Sequence, residues 1–329
     1  MKSQDRCPAC SPGVKVAKLG YTSHDKKTPI KALLWSPEAV AAKPKGIIQI
    51  THGMEEHSGR YADFADYLAG KGFVVCAADM LGHGLSVTDP EKLSCIPCDG
   101  GADILIEDAH ELYKTVASRY AQQTPYFMFG HSMGSYLMRA YAARYGKEIA
   151  GLVLCGAGQQ SKSLSFLGNR LARFIAGSKG EDYRSPLLRS LGTGAFAKSI
   201  ENPRTQFDWL STDEAVVDQY IADELCGVAF SAGAYTTLTQ ITGEVASASC
   251  VTAVPKSLPI YFVAGSLDPV GDKGAGVKKA AEQLRLAGVE RVDVKLYEGM
   301  RHEILNEPGK DEVYADIASW IEGVALDAK

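Results

Sequence analysis

Apolar and polar positions along the chain follow two alternating rhythms. The runs 46–50, 73–78, 126–129, 150–155 and 259–264 are apolar with almost no polar alternation, as strands covered on both faces require. Between and after them, 59–69, 104–120 and 276–287 repeat apolar residues at helical spacing, for example Ile106, Ala109, Leu112, Val116 and Tyr120. Strand and helix in this order predict an α/β fold, a mostly parallel sheet flanked by helices. Ahead of it, 16–21 and 30–35 read as an antiparallel hairpin at a sheet edge, joined by the polar turn 23–27. At the other end, Val292, Val294 and Leu296 alternate with polar neighbours, as in a strand nearer an edge. The last helix carries Val313, Ile317, Trp320, Ile321 and Val324 on one face.

Over 159–250 no clear strand occurs, so the chain divides into a first core part (1–158), a helical cap insertion (159–250) and a second core part (251–329). In the insertion Leu164, Leu167, Leu171, Phe174 and Ile175 form an apolar stripe, with Asn169, Arg170 and Arg173 off it. Ser211, Thr212, Asp213 and Glu214 start a second helix, which runs through Val217, Tyr220, Ile221 and Leu225. Both stripes are expected to pack in part on the main body, and a cap closing over Ser132 is expected to line its pocket with some of Leu164, Phe166, Leu167, Leu171, Phe174, Ile175 and Phe196. The first also suits transient contact with a membrane surface, where an apolar face flanked by arginines is held by lipid.

Composition narrows the function. A net charge of -4, from 35 basic and 39 acidic residues, offers no electrostatic footprint for nucleic acid. The first residues contain no apolar signal region and no run is long enough to span a bilayer, so a cytoplasmic location is expected. Of the eight cysteines, Cys76 and Cys155 sit in apolar runs as small core residues. Cys7/Cys10 and Cys95/Cys98 form two Cys-x-x-Cys pairs. They would make a zinc site only if the amino-terminal tail folded back, and their separation is unlike a zinc ribbon, so reduced thiols and no metal or cofactor are expected.

The chemistry centres on Gly130-His131-Ser132-Met133-Gly134, a glycine-flanked serine between an apolar strand and a helix. A serine there sits on a sharp, strained turn at a helix N-terminus, where negative charge developing on a substrate oxygen is favoured. Its hydroxyl needs a base, and of the seven histidines only His302 follows Ser132 in the chain. The order serine, acid, histidine then asks for an acid at a strand end between them. Asp268 fits; Asp272 is the alternative, while Glu298 and Glu303 lie too near the histidine along the chain. Met133 and Met54 are the candidate oxyanion-hole amides. His52, His57 and His83 are expected to fix loops, and His24 and His110 to lie at the surface.

Together HGMEEHSGRY at 52–61, Asp79 with GHGLS at 82–86, GHSMG at 130–134, Phe207-Asp208-Trp209-Leu210-Ser211, Leu225-Cys226-Gly227, GSLDPVGD at 265–272 and GMRHEILNE at 299–307 carry a resemblance. From about Gly20 onward the chain resembles the monoacylglycerol lipase and lysophospholipase branch of the serine α/β-hydrolases. The resemblance implies Ser132 as nucleophile, Asp268 as acid, His302 as base, Met54 and Met133 as oxyanion donors, and a cap covering an acyl-binding gorge. It also implies a cofactor-free carboxylester hydrolase acting on a small-molecule ester with an acyl chain. An acyltransferase or a peptidase on the same triad is the alternative, and a catalytically silent ligand receptor a further one. Two positions depart from the branch: Glu55 stands where a small residue is common, and Leu81 where arginine is frequent.

Overall fold

The computed structural model describes residues 10–38 and 43–327. Its centre is an eight-stranded sheet of β1 (Val14–Thr22), β2 (Pro29–Pro37), β3 (Ile47–Thr51), β4 (Val74–Ala78), β5 (Tyr126–His131), β6 (Gly151–Cys155), β7 (Ile260–Gly265) and β8 (Val292–Tyr297). The spatial order is β1-β2-β4-β3-β5-β6-β7-β8. β1 and β2 form the expected antiparallel hairpin at one edge, β2 meets β4 antiparallel, and every other neighbouring pair is parallel. The molecule is thus an α/β-hydrolase fold.

Why the central strands read as unbroken apolar runs is visible in where their side chains go. Ile47, Cys76, Met128, Leu154 and Phe262 enter one core, while Ile48, Val75, Phe129, Val153 and Val263 enter another on the opposite face. The second is closed by α1 (Ala62–Gly70) and α11 (Lys310–Asp327) through Phe64, Leu68, Ile317 and Ile321. The first is closed by α2 (Gly101–Ala117), α3 (Met133–Tyr145) and α10 (Ala275–Leu286). Gln49 is a polar residue in the middle of β3. It stays buried because its Nε2 donates to Ala109 O at 2.8 Å and its Oε1 accepts from Tyr126 Oη at 2.7 Å.

Between β6 and β7 the chain forms α4 (Lys162–Lys179), α5 (Pro186–Leu191), α6 (Thr193–Ala197), α7 (Glu214–Ala222), α8 (Ala232–Val245) and α9 (Ala248–Ala253). α8 joins the main core, with Ala232, Ala234, Tyr235, Ile241 and Val245 all buried. α4 packs on the core only in part. Leu164, Leu167 and Phe174 are exposed, and only Leu171 and Ile175 of the stripe reach the core. The face turned to α8 is instead small and polar: Ser165 Oγ lies 3.0 Å from Thr242 Oγ1, Asn169 Nδ2 donates to Thr236 O at 2.9 Å, and Ala172 is buried. Small side chains let the two backbones approach closely and leave the leucines for another surface. α7 is likewise shorter than its stripe suggests; it ends at Ala222, with Ile221 half exposed.

Candidate active site

Glycines set the turn that carries Ser132. The serine has φ 52° and ψ -117°, held between β5 and the first turn of α3. A Cβ on Gly130 would lie 2.3 Å from Gly134 O, and one on Gly134 would lie 2.2 Å from Thr51 O. Both are backbone atoms that cannot swing aside, so strand and helix close on the serine only with glycine at both places. Ser132 N donates to Cys155 O at 3.0 Å, which ties the turn to the neighbouring strand. Met133 opens α3, where a backbone N–H has no intrahelical acceptor. The Met54 N–H likewise has no protein acceptor among the described residues.

The structure brings His302 to this turn and pairs it with Asp268. His302 Nδ1 lies 3.0 and 2.9 Å from the two carboxylate oxygens, so Nδ1 donates and Nε2 keeps its lone pair. Both side chains are buried, and Asp268 Oδ1 also accepts from Val270 N at 2.9 Å. The imidazole is wedged between the rings of Trp209, 5.0 Å away, and His131, 4.7 Å away. Asp272, the alternative acid, stands exposed on the following turn. Glu298 is exposed too, and Glu303 is buried but turned to Arg60.

Behind the serine lies a buried charge network that the sequence reading did not assemble. Glu56 Oε1 accepts from Gly53 N at 2.5 Å and Tyr61 Oη at 2.8 Å and lies 3.2 Å from His131 Nδ1. Its Oε2 accepts from Arg60 Nη1 at 3.1 Å, and Arg60 Nη2 donates to Glu303 Oε2 at 2.7 Å. Burial opposes charge on Glu56, but His131 and Arg60 overcome it and hold the carboxyl well below its usual range. For His131 burial is again the largest influence and lowers it, yet the contact with Glu56 raises the imidazole on balance. One cluster therefore couples the loop after β3, the residue before the nucleophile and the residue after His302. The signal was available as Glu56 and Arg60 four apart in a polar loop, but nothing in the sequence names their partner 243 residues on.

The loop histidines have the expected partners. His52 Nδ1 donates to Gly53 O at 2.7 Å and its Nε2 accepts from Met80 N at 3.0 Å, linking the loops after β3 and β4. His83 Nδ1 donates to Leu81 O at 3.0 Å. His57 Nε2 donates to Asp223 Oδ2 at 2.8 Å, and its Nδ1 accepts from Gly59 N at 3.1 Å. His110 differs from a plain surface residue, stacking on Tyr145 with ring centroids 3.8 Å apart. As for metals, Cys7 lies outside the described residues, and Cys10, Cys95 and Cys98 are separate free thiols. The single group of metal-competent side chains among the described residues is His57, Asp223 and Cys226. It does not suit an ion, because the Gly59 N–H already takes the Nδ1 lone pair, so Nε2 carries the ring proton.

A cavity of about 520 Å³ opens from Ser132, Met54 and Met133 into the insertion, where Leu164, Leu171, Leu188 and Leu238 line it. The leucines that α4 withholds from α8 thus face this space. A smaller recess that also touches Ser132 is bounded by Glu55, His131, Trp209 and His302.

The serine aminopeptidase S33 family model matches residues 42–309. The chain belongs to that family. Within it, a monoacylglycerol lipase of Mycolicibacterium smegmatis is 28% identical over 88% of this chain and 91% of its own length. The monoglyceride lipase of Mus musculus is 26% identical, covering 87% of this chain and 84% of its own. Among solved structures, a thermostable carboxyl esterase from Bacillus coagulans in complex with glycerol superimposes with a TM-score of 0.86 at 32% identity, covering 94% of this chain and 99% of that one. These relatives place this S33-family member in the monoacylglycerol lipase branch of the α/β-hydrolases, as a serine hydrolase of the carboxylester class acting on a small-molecule ester. Among the described residues no helix is long and apolar enough to cross a membrane.

Proposed function

We propose that the chain hydrolyses single-chain lipid esters, of the monoacylglycerol or lysophospholipid type, through an acyl-enzyme on Ser132. The observation that carries this reading is the apolar cavity leading from Ser132 into the insertion, beside a histidine whose Nδ1 is already occupied by Asp268. Ser132 Oγ attacks the ester carbonyl as His302 Nε2 takes its proton, and the imidazolium is stabilised by Asp268. The Met54 and Met133 amides receive the oxyanion. Collapse expels the alcohol, which takes the proton from His302; water then enters by the same route and releases the carboxylic acid.

Residues 159–250 act in this reading as the cap, with the leucines of α4 and α5 receiving the acyl chain. Each buried methylene contributes about 0.8 kcal/mol, so rates at low substrate should climb with chain length until the cavity is filled. Leu164, Leu167 and Leu191 of the cavity wall, and Phe166, Phe174 and Leu187 elsewhere on α4 and α5, are exposed, which supports transient contact with a lipid surface from which single-chain esters are drawn. A panel of single-chain esters varied in acyl length and head group, with Ser132→Ala as blank, tests the proposal. Medium and long monoesters should exceed acetate esters, and triacylglycerols should be poor. A preference for acetyl esters, or for peptides over esters, would overturn the lipid reading.

A further inference from the structure

Glu55 is a buried acid in the loop that presents the Met54 amide, and only 2% of it is exposed. Its φ of 56° lies in the left-handed region, which glycine adopts without cost and glutamate does not. Its carbonyl accepts from Gly227 N at 2.9 Å and from Tyr220 Oη at 2.8 Å; its Oε1 accepts from Phe230 N at 3.1 Å. All three donors belong to the insertion. On the other side of Met54, Gly53 N donates to Glu56 on the core side. The tripeptide around Met54 is therefore held from two directions. Glycine at position 55 would satisfy the backbone and keep both carbonyl bonds, so the fold alone does not account for a carboxyl buried on a single neutral N–H.

We propose that Glu55 is a positioning residue for hydrolysis, whose side chain fastens the Met54 loop to the insertion and so fixes one oxyanion-hole amide. This rests on the hydrolase reading above and on Met54 as a donor. The groups facing the carboxyl are Arg189 of α5, Tyr220 of α7 and Tyr235 of α8, with Glu56 and His57 beside it on its own loop. Tyr235 Oη is itself buried without a hydrogen-bond partner. Burial pushes the Glu55 carboxyl up to about 7, against the weaker pull of Phe230 N–H and Arg189. The sign follows: the neutral acid keeps the fastening below that value, and ionisation above it draws the side chain toward water and slackens the loop.

The test is kcat and KM for one single-chain ester from pH 6 to 9, for the wild type, Glu55→Gln and Glu55→Gly. Removing an oxyanion donor outright costs about a hundredfold or more, so loosening one should cost about tenfold. The ratio of kcat for Glu55→Gln to that of the wild type should therefore rise about tenfold across the range, because the amide cannot ionise. Glu55→Gly should lower kcat severalfold at pH 6 with KM little changed. A flat ratio from pH 6 to 9 overturns the proposal, as does full kcat in a folded Glu55→Gly; should that variant not fold, the Gln ratio alone decides. Absence of ester turnover by the wild type would instead sink the hydrolase reading.

Discussion

Arg60 offers the sharpest test of how the site is held. Its side chain is 12% exposed, lies between the buried carboxylates of Glu303 and Glu56, and rests 4.9 Å over the Tyr220 ring. Arg60→Ala leaves two carboxylates, each 4% exposed, without their guanidinium. Stranding a buried partner typically costs about 3–5 kcal/mol, and the lost contact with Tyr220 adds about 1 kcal/mol. Part of the loss is relieved because Asn306 Nδ2 donates to Glu303 and His131 stays beside Glu56. We therefore expect Arg60→Ala to be destabilised by about 3 kcal/mol in urea unfolding at pH 7. Adding Glu303→Gln should recover about half, since it removes the stranded charge but not the packing. Glu56 supplies the pH sign. Its carboxyl is held below the usual range, so its contribution is present above its unfolded value and is lost as pH falls through the folded one. The difference between wild type and variant should accordingly persist from pH 8 to 5 and narrow in stronger acid. A loss below about 1 kcal/mol, or no recovery in the double variant, would refute the view that this network fastens the site.

Two further expectations concern the triad and the insertion. Ser132→Ala and His302→Ala should each lower turnover by roughly a thousandfold or more without unfolding the chain, Asp268→Asn should cost activity by mis-setting the imidazole tautomer, and Asp272→Asn should be silent; a silent Asp268→Asn with an inactive Asp272→Asn would reverse the choice of acid. For the His57–Asp223 pair, the hydrogen bond to His57 lowers Asp223 to about 2. The Asp223 contact raises His57 above 6.5 despite burial. The pair is strongest between the two ordinary values, 3.8 and 6.5, weakening in strong acid and again as pH rises through the raised histidine value. Asp223→Asn should therefore lower Tm more at pH 5.5 than at pH 9, because protonating Nδ1 gives up the bond from Gly59 N but gains the ion pair, and an equal loss at both would show that the ring stays neutral with Nδ1 accepting from Gly59 N.

Much of the molecule was legible before any coordinates. The parallel strands announce themselves because both faces are covered, and polar alternation is absent for that reason. Chain order and strand ends make Ser132, Asp268 and His302 the candidate triad, with Asp272 as the other acid, because parallel strands all deliver their C-terminal loops to one edge of the sheet. The constraint on Gly130 is local too, arising against Gly134 O in a turn only a few residues long, whereas Gly134 is pressed by Thr51 O of the neighbouring strand β3. Tertiary structure alone decided what depends on distant partners. The stripe on α4 has the same period whether it meets a helix or a cavity, and only the small polar contact with α8 shows that its leucines line open space. A carboxylate in a loop likewise looks solvated in sequence. That Glu56 is buried on His131, and Glu55 on Phe230, follows from segments more than seventy residues apart closing over one loop, where burial and hydrogen bonding, not residue type, set the charge.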